Sequence, residues 1–136
     1  MAAQRRKIFV NLPVKDLGRS MAFFKALGFS FNAQFTDETA ASMVISDDIY
    51  VMLLKHEKFK QFTPKAIADT NMTSEVLTCL SAESKDEVNK MVDAALKAGG
   101  RKLREPQDYG FMYERSFQDP DGHIWEIMWM DPAAVK

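Results

Sequence analysis

The sequence predicts an α+β fold that uses one strand–helix–strands unit twice, and two observations carry the prediction. An alternating run at residues 8–12 leads into an amphipathic stretch ending at Ala26-Leu27-Gly28-Phe29, then into further strands up to Leu54. The same order returns from residues 76–80, through a longer amphipathic stretch ending at Ala98-Gly99-Gly100, to a closing strand over 124–130. Repetition within 136 residues suits two half-domains of a single domain, 1–136, whose sheets curve around a shared space.

In the first half, Ile8, Val10 and Leu12 fall on one face of a strand, with Phe9 and Asn11 on the other. Asp16 then offers a side-chain oxygen to the unpaired N–H groups of a helix's first turn. Leu17, Met21, Phe24 and Leu27 recur at helical spacing, and Gly28 stands where a left-handed residue ends the helix. Residues 31–35, 40–45 and 49–54 read as three more strands, parted by turn-forming Thr36-Asp37-Glu38 and Ser46-Asp47-Asp48.

Module 1 thus covers about 7–55, a connector 56–74, and module 2 about 75–131. Within the connector, Phe59 and Phe62 lie three apart and allow one short helical turn, while 68–74 is crowded with loop-forming residues. Such a segment is either a surface strap with two Phe residues packed on the core or, being long, a lid or partner-contacting loop. In the second half, Val76, Thr78 and Leu80 share one strand face, with Glu75, Leu77 and Cys79 on the other. Ser84 and Glu87 have the spacing of a capping box, and Val88, Met91, Val92, Ala95 and Leu96 supply the apolar stripe. Residues 101–103, 112–117 and 124–130 return as strands. Asp119-Pro120-Asp121-Gly122 between the last two is a strong tight-turn sequence.

Composition narrows the function classes. A chain with 46% hydrophobic and 27% charged residues has an ordinary soluble balance, and a net charge of −1 gives no pull toward nucleic acid or an anionic membrane. Arg5, Arg6 and Lys7 read as a solvated lead-in, and no stretch approaches the roughly 20 apolar residues of a membrane span. The single cysteine, Cys79, excludes an intrachain disulfide and fits a reducing cytoplasm. No Gly-rich phosphate loop or Ser–His–Asp pattern occurs, and the two histidines are His56 in the connector and His123 beside the tight turn.

The segment from Val14 through Phe24, followed by Ala26-Leu27-Gly28-Phe29, resembles the opening of the vicinal oxygen chelate superfamily. The segment from Asp119 through Met128 resembles its closing hairpin, and the likeness runs over residues 7–131 in matching order and spacing. That superfamily includes glyoxalase I, extradiol dioxygenases, fosfomycin-resistance enzymes and bleomycin-sequestering proteins. Closest in aspect are proteins labelled as predicted lactoylglutathione lyases. The resemblance implies paired βαβββ modules whose curved mixed sheets form a cup, commonly completed as a homodimer, and a divalent metal (Ni, Zn or Mn) held by four strands. Carried over residue by residue, the last ligand falls on Glu126 and the second module's opening ligand on Glu75. The first module's two positions fall on apolar Phe9 and Met52, with Asn11 a conceivable substitute donor.

Two functions follow. One is a glyoxalase-like lyase or isomerase with a degraded metal site, in which Glu126 is base or ligand and Glu75 completes the site. The other is a non-catalytic protein that binds or sequesters a small organic molecule, as bleomycin-sequestering relatives do. Either would use Phe9, Asn11, Met52, Tyr109, Tyr113 and Met128 to line the ligand site, with Tyr109 to Tyr113 as an aromatic rim. Glu126 has a second reading, as a carboxylate paired with an arginine such as Arg115 on the adjacent strand, because a lone carboxylate among apolar neighbours is costly. Glu75 reads alternatively as a solvated strand edge, and Cys79 as a small buried hydrophobe rather than a nucleophile.

Overall fold

A computed structural model describes residues 4–134. The chain divides into two units, one running to Ile67 and the other from Ala68, each with its own open mixed sheet. In the first, β1 (Ile8–Val14) runs parallel to β4 (Ile49–Lys55), and β3 (Ala40–Val44) and the short β2 (Ser30–Phe31) complete the order β1-β4-β3-β2 antiparallel to one another.

Helix α1 (Leu17–Ala26) forms for the reasons its sequence suggests. Asp16 Oδ1 accepts the Arg19 N–H at 3.1 Å, and Gly28 follows the helix at φ +102°, in the left-handed region open to glycine. Its Leu17, Phe23 and Phe24 are buried with Leu12, Val14, Met43, Val51 and Leu53, the sheet residues on one face. Met21 is only half-buried; Phe23 takes the core place that spacing assigns to it.

The strand expected over 31–35 stops at Phe31. Asn32 Oδ1 accepts the Gln34 N–H at 3.0 Å and starts a 3-10 turn, Ala33–Phe35, since a short amide side chain competes with the ladder for local N–H groups. The basic lead-in is tied down locally: Arg5 Nε lies 2.7 Å from Asp48 and Lys7 Nζ donates to the Asp47 carbonyl at 2.8 Å. In the connector, α2 (His56–Phe59) continues as a 3-10 turn, Lys60–Phe62. It is not a strap with both Phe residues in the core, for Phe59 is half-buried and Phe62 is 68% exposed with Lys58 over its ring.

The second unit repeats the plan with longer elements. Here β5 (Leu77–Ser81) runs parallel to β9 (Ile124–Met130), β9 pairs with β8 (Met112–Gln118), and β8 pairs with β6 (Arg101–Lys102). An additional short strand, β7 (Gln107–Asp108), also joins β8. Helix α3 (Lys85–Lys97) begins at Ser84, whose hydroxyl accepts the Glu87 N–H at 3.1 Å, while the Glu87 carboxylate reaches back to the Glu83 N–H. Val88, Val92 and Ala95 bury against β8 and β9, where Phe117, Trp125 and Ile127 form the core.

The tight turn fixes where β9 starts. Gly122 N–H donates to the Asp119 carbonyl at 2.9 Å with φ +87°, and a Cβ on Gly122 would stand 2.8 Å from the Thr70 carbonyl oxygen. Thr70 Oγ1 donates to the Asp121 carbonyl at 2.6 Å, so the start of this unit clasps its last hairpin.

Candidate functional site

Alternation along paired strands gives each sheet one face packed on its helix and one far face. On the far face of the second sheet, Glu126 of β9 stands in register between Cys79 of β5 and Ser116 of β8. Two residues along β8, Glu114 pairs with Met128 on the same face. Arg104, from the irregular segment between β6 and β7, reaches both acids: one guanidinium nitrogen, Nη2, lies 2.9 Å from Glu126 Oε2 and also contacts Glu114 Oε1. Hydrogen bonds to Glu114, then to Glu126, raise the Arg104 pKa, so the guanidinium stays charged.

Ser116 is 4% exposed and its hydroxyl has no hydrogen-bond partner among the described residues. A buried hydroxyl left unpaired costs about 1–3 kcal/mol, which marks this spot as one where another polar atom would be stabilising. Cys79 reaches solvent rather than acting as a small buried hydrophobe. Its thiol pKa is raised, first by the partial desolvation of its surroundings and then by the negative charges of Glu126 and Glu114. A protonated thiol is a weak nucleophile.

Behind the site, Asp119 anchors the hairpin. Its carboxylate is 1% exposed and accepts the Asp121 N–H at 2.9 Å, the His123 N–H at 3.1 Å and Trp125 Nε1–H at 3.0 Å. Desolvation drives its pKa up, opposed by His123 and by the indole hydrogen bond. Trp125 is thereby fixed on the helix face, which by alternation turns Glu126 to the far face.

The residues expected at a ligand site separate. Met128 lies on the far face with Glu126, and Met52 and Asn11 are register partners on the far face of the first sheet. Phe9, 54% exposed, stacks on Tyr50 with ring centroids 5.1 Å apart and planes 11° from parallel. Glu75 is exposed and precedes β5, outside the ladder. With each strand counted back from its helix cap, Cys79 is the counterpart of Asn11 and Leu77 that of Phe9, so Glu75 falls two residues short of the position assigned to it.

Tyr113 turns the other way. It pairs with Trp129 on the helix face, and its hydroxyl donates to Asn89 Oδ1 of α3 at 2.8 Å, so it is no part of a rim beside Tyr109. Tyr109 itself is exposed next to Gly110, which holds φ +81°. Arg115 is likewise on the helix face, 2.9 Å from Asp93 and 3.0 Å from Asn89; the arginine that pairs with Glu126 is Arg104. Arg104, Glu114 and Ser116 had escaped sequence reasoning. Counting outward from the Asp119–Gly122 turn brings Ser116 and Glu114 to the Glu126 face, but nothing in the segment 103–106 signals where its arginine points.

The donor set does not fit a divalent metal. Both Glu114 and Glu126 are taken by the Arg104 guanidinium, Glu75 lies off the strand, and the first sheet offers Phe9 and Met52. Among the described residues, no group of three or more His, Cys, Asp or Glu side chains stands together to hold a metal ion. None of the expected site residues lines the hollow of about 470 Å³ at the start of α1, formed by Lys15, Asp16, Leu17, Gly18, Arg19 and Lys55.

Residues 6–46 match the family model for the bleomycin resistance protein-like N-terminal region. A hypothetical protein from S. aureus superimposes with a TM-score of 0.78 at 27% identity, over 93% of this chain and 95% of its own. A glyoxalase/bleomycin resistance protein/dioxygenase family enzyme from Burkholderia phytofirmans PsJN gives 0.74 at 19% identity, covering 90% and 96%. This is the vicinal oxygen chelate fold. A lactoylglutathione lyase from Agrobacterium tumefaciens shares the fold, with a TM-score of 0.69 at 14% identity, over 93% of this chain and 95% of that one. No curated protein matches the chain in sequence. The shared fold of the vicinal oxygen chelate proteins accounts for the parallel β1–β4 and β5–β9 pairs, each followed by a helix, and leaves the chemistry to the far-face side chains.

Proposed function

We propose that the protein binds a small organic molecule on a far sheet face without a metal, in the sequestering mode of the bleomycin-resistance type. The observation that carries this reading is the capture of Glu126 and Glu114 by Arg104. A carboxylate already accepting a guanidinium N–H is poorly placed to take a substrate proton or to ligate an ion. What remains beside it is suited to holding a ligand. The Ser116 hydroxyl, without a hydrogen-bond partner among the described residues, offers one polar anchor, and Leu77 and Met128 lie on the same far face as apolar area. A homodimer in a reducing cytoplasm belongs to the same proposal, supported by the family resemblance and the single cysteine.

The test uses chelator-treated protein, with bleomycin and a panel of aromatic and amphipathic small molecules scored by thermal shift and calorimetry. Saturable binding by at least one of them, unchanged by the chelator, is the expected result. The competing lyase reading is assayed on the hemithioacetal of methylglyoxal and glutathione. Turnover that requires Glu126 would overturn the proposal, as would failure of every compound to bind.

A further inference from the structure

We propose that Arg104 selects this protein's ligand, and that it selects a neutral molecule presenting a carbonyl oxygen. Such selection rests on the metal-free binding proposed above and adds the chemistry of what is bound. Arg104 reaches both Glu114 and Glu126 through a single nitrogen, Nη2. The N–H groups of its Nε and Nη1 have no hydrogen-bond partner among the described residues, and the side chain is 37% exposed. Glu114 and Glu126 are mostly buried, at 15% and 16% side-chain exposure, and come from neighbouring strands onto one face. A guanidinium is planar and rigid, so fixing one nitrogen at two points restricts where the others aim. The acids hold it without using up its donors. A second polar group stands on the same face. Ser116 is the register partner of Glu126, 4% exposed, and its hydroxyl has no hydrogen-bond partner among the described residues. A buried hydroxyl in that state is stabilised by a bound molecule that brings a polar atom to it.

Charge decides which acceptor suits these donors. Arg104 with Glu114 and Glu126 carries a net single negative charge. Partial desolvation, and then the charges of Glu126 and Glu114, raise the pKa of the neighbouring Cys79 thiol, so the field there is negative. A carboxylate ligand would gain from the guanidinium and lose to two like charges on the same face. An ammonium would meet a guanidinium that has only donors to offer it. A carbonyl oxygen brings lone pairs and no net charge, and it can accept from Arg104 while the Ser116 hydroxyl rotates to suit. Hydrogen bonds from a charged donor are the stronger kind, so a ligand without the oxygen forgoes them. Leu77 and Met128, on the same far face, suit the apolar remainder of such a molecule. Glu114 and Glu126 are then positioning residues, which fix Arg104 and offset its charge without touching the ligand.

The experiment titrates isotope-labelled protein with benzamide, benzoate, benzylamine and toluene, which share one phenyl ring and differ in its head group. NMR follows the backbone and the Arg104 Nε–H signal, and circular dichroism checks the folding of each variant. Wild type is expected to bind benzamide at least about tenfold more tightly than any of the other three, with a shift of the Arg104 Nε–H signal. Arg104→Ala, or Arg104→Gln should the alanine variant fold poorly, is expected to bind benzamide and toluene within about threefold of one another. The double variant Glu114→Gln/Glu126→Gln should reverse the charge preference and bind benzoate more tightly than benzamide, because the guanidinium charge is no longer offset. Glu126→Gln alone should move that ratio in the same direction. Acids that merely support the fold would change every affinity together and leave the ratio alone. Wild type that binds benzamide no better than toluene or benzoate overturns the inference, as does a folded Arg104 variant that keeps the preference or a folded acid variant with an unchanged ratio. The wild-type arm decides even if both Arg104 variants misfold. Binding of organic molecules with no preference for a carbonyl would sink this selection while leaving the functional proposal standing, whereas failure of every compound would sink both.

Discussion

The two far faces follow the same ladder pattern in separate sheets and differ in chemistry. In each unit the strand before the helix runs parallel to the last strand, and Asn11–Met52 in the first corresponds to Cys79–Glu126 in the second. The first face is neutral and aromatic, built on Phe9 and Tyr50; the second carries two acids and the arginine that holds them. Backbone pairing can repeat under different side chains, because ladder bonds run between main-chain N–H and C=O groups. Far-face side chains are not fixed by those bonds, and there the two units carry different groups. The lesson is that register identifies equivalent positions while saying nothing of what occupies them.

The largest effect should come from the helix face, where the halves also differ in size. Val51 and Trp125 occupy matching, fully buried positions. Trp125→Ala should cost about 3–5 kcal/mol, and Val51→Ala about 2 kcal/mol, in urea unfolding followed by circular dichroism. Equal losses would break the idea that the second hairpin depends on its indole and Asp119.

Exchanging chemistry between the faces comes next. Met52→Glu puts a carboxylate in the first sheet with no guanidinium in register and should destabilise by about 1–3 kcal/mol. The reverse change, Glu126→Met, leaves Arg104 paired with Glu114 and should stay within about 1 kcal/mol of wild type, because exchanging a paired, partly exposed charge for a packed apolar group is close to neutral. A costly Glu126→Met would mean that the acid does more than balance Arg104.

A pH measurement sharpens the same contrast. The Cys79 thiol should titrate above an ordinary cysteine, and Glu126→Gln should move the midpoint down without restoring the free value, since desolvation is the leading cause and remains. The sign is that of a raised pKa: the folded state holds this proton more tightly than the unfolded state, so the group favours folding below the ordinary thiol pKa and that contribution is lost as pH rises through the folded value. Rates of iodoacetamide labelling against pH report it. The smallest effect is expected at Phe9→Ala, at the lower end of about 0.5–1.5 kcal/mol, because the Phe9–Tyr50 stack is half exposed.

Much of this fold was legible in the sequence. Asp16 and Ser84 mark the helix starts, the glycines after Leu27 and Ala98 their ends, and period-two alternation sets Phe9 and Asn11 on one strand face, while Met52, Glu126 and Met128 were placed by the family resemblance. The misses have physical causes. Asn32 diverts the backbone into a 3-10 turn because an amide side chain competes for local N–H groups. Tyr113 and Arg115 face α3 because alternation along β8 puts them on the opposite side from Glu114 and Ser116. Arg104 lies in a stretch with no period at all, and the reach of a long side chain from a loop leaves no trace in sequence spacing.

The clasp between Thr70 and the Asp119–Gly122 turn has a consequence for how the chain assembles. That hydrogen bond joins residues 51 positions apart, and Gly122 fits only because it has no side chain to meet Thr70. The start of the second unit is thus fastened to the turn that leads into its last strand, and closing a loop of that length costs chain entropy. A chain growing from its N-terminus therefore cannot make this contact until Gly122 has been made.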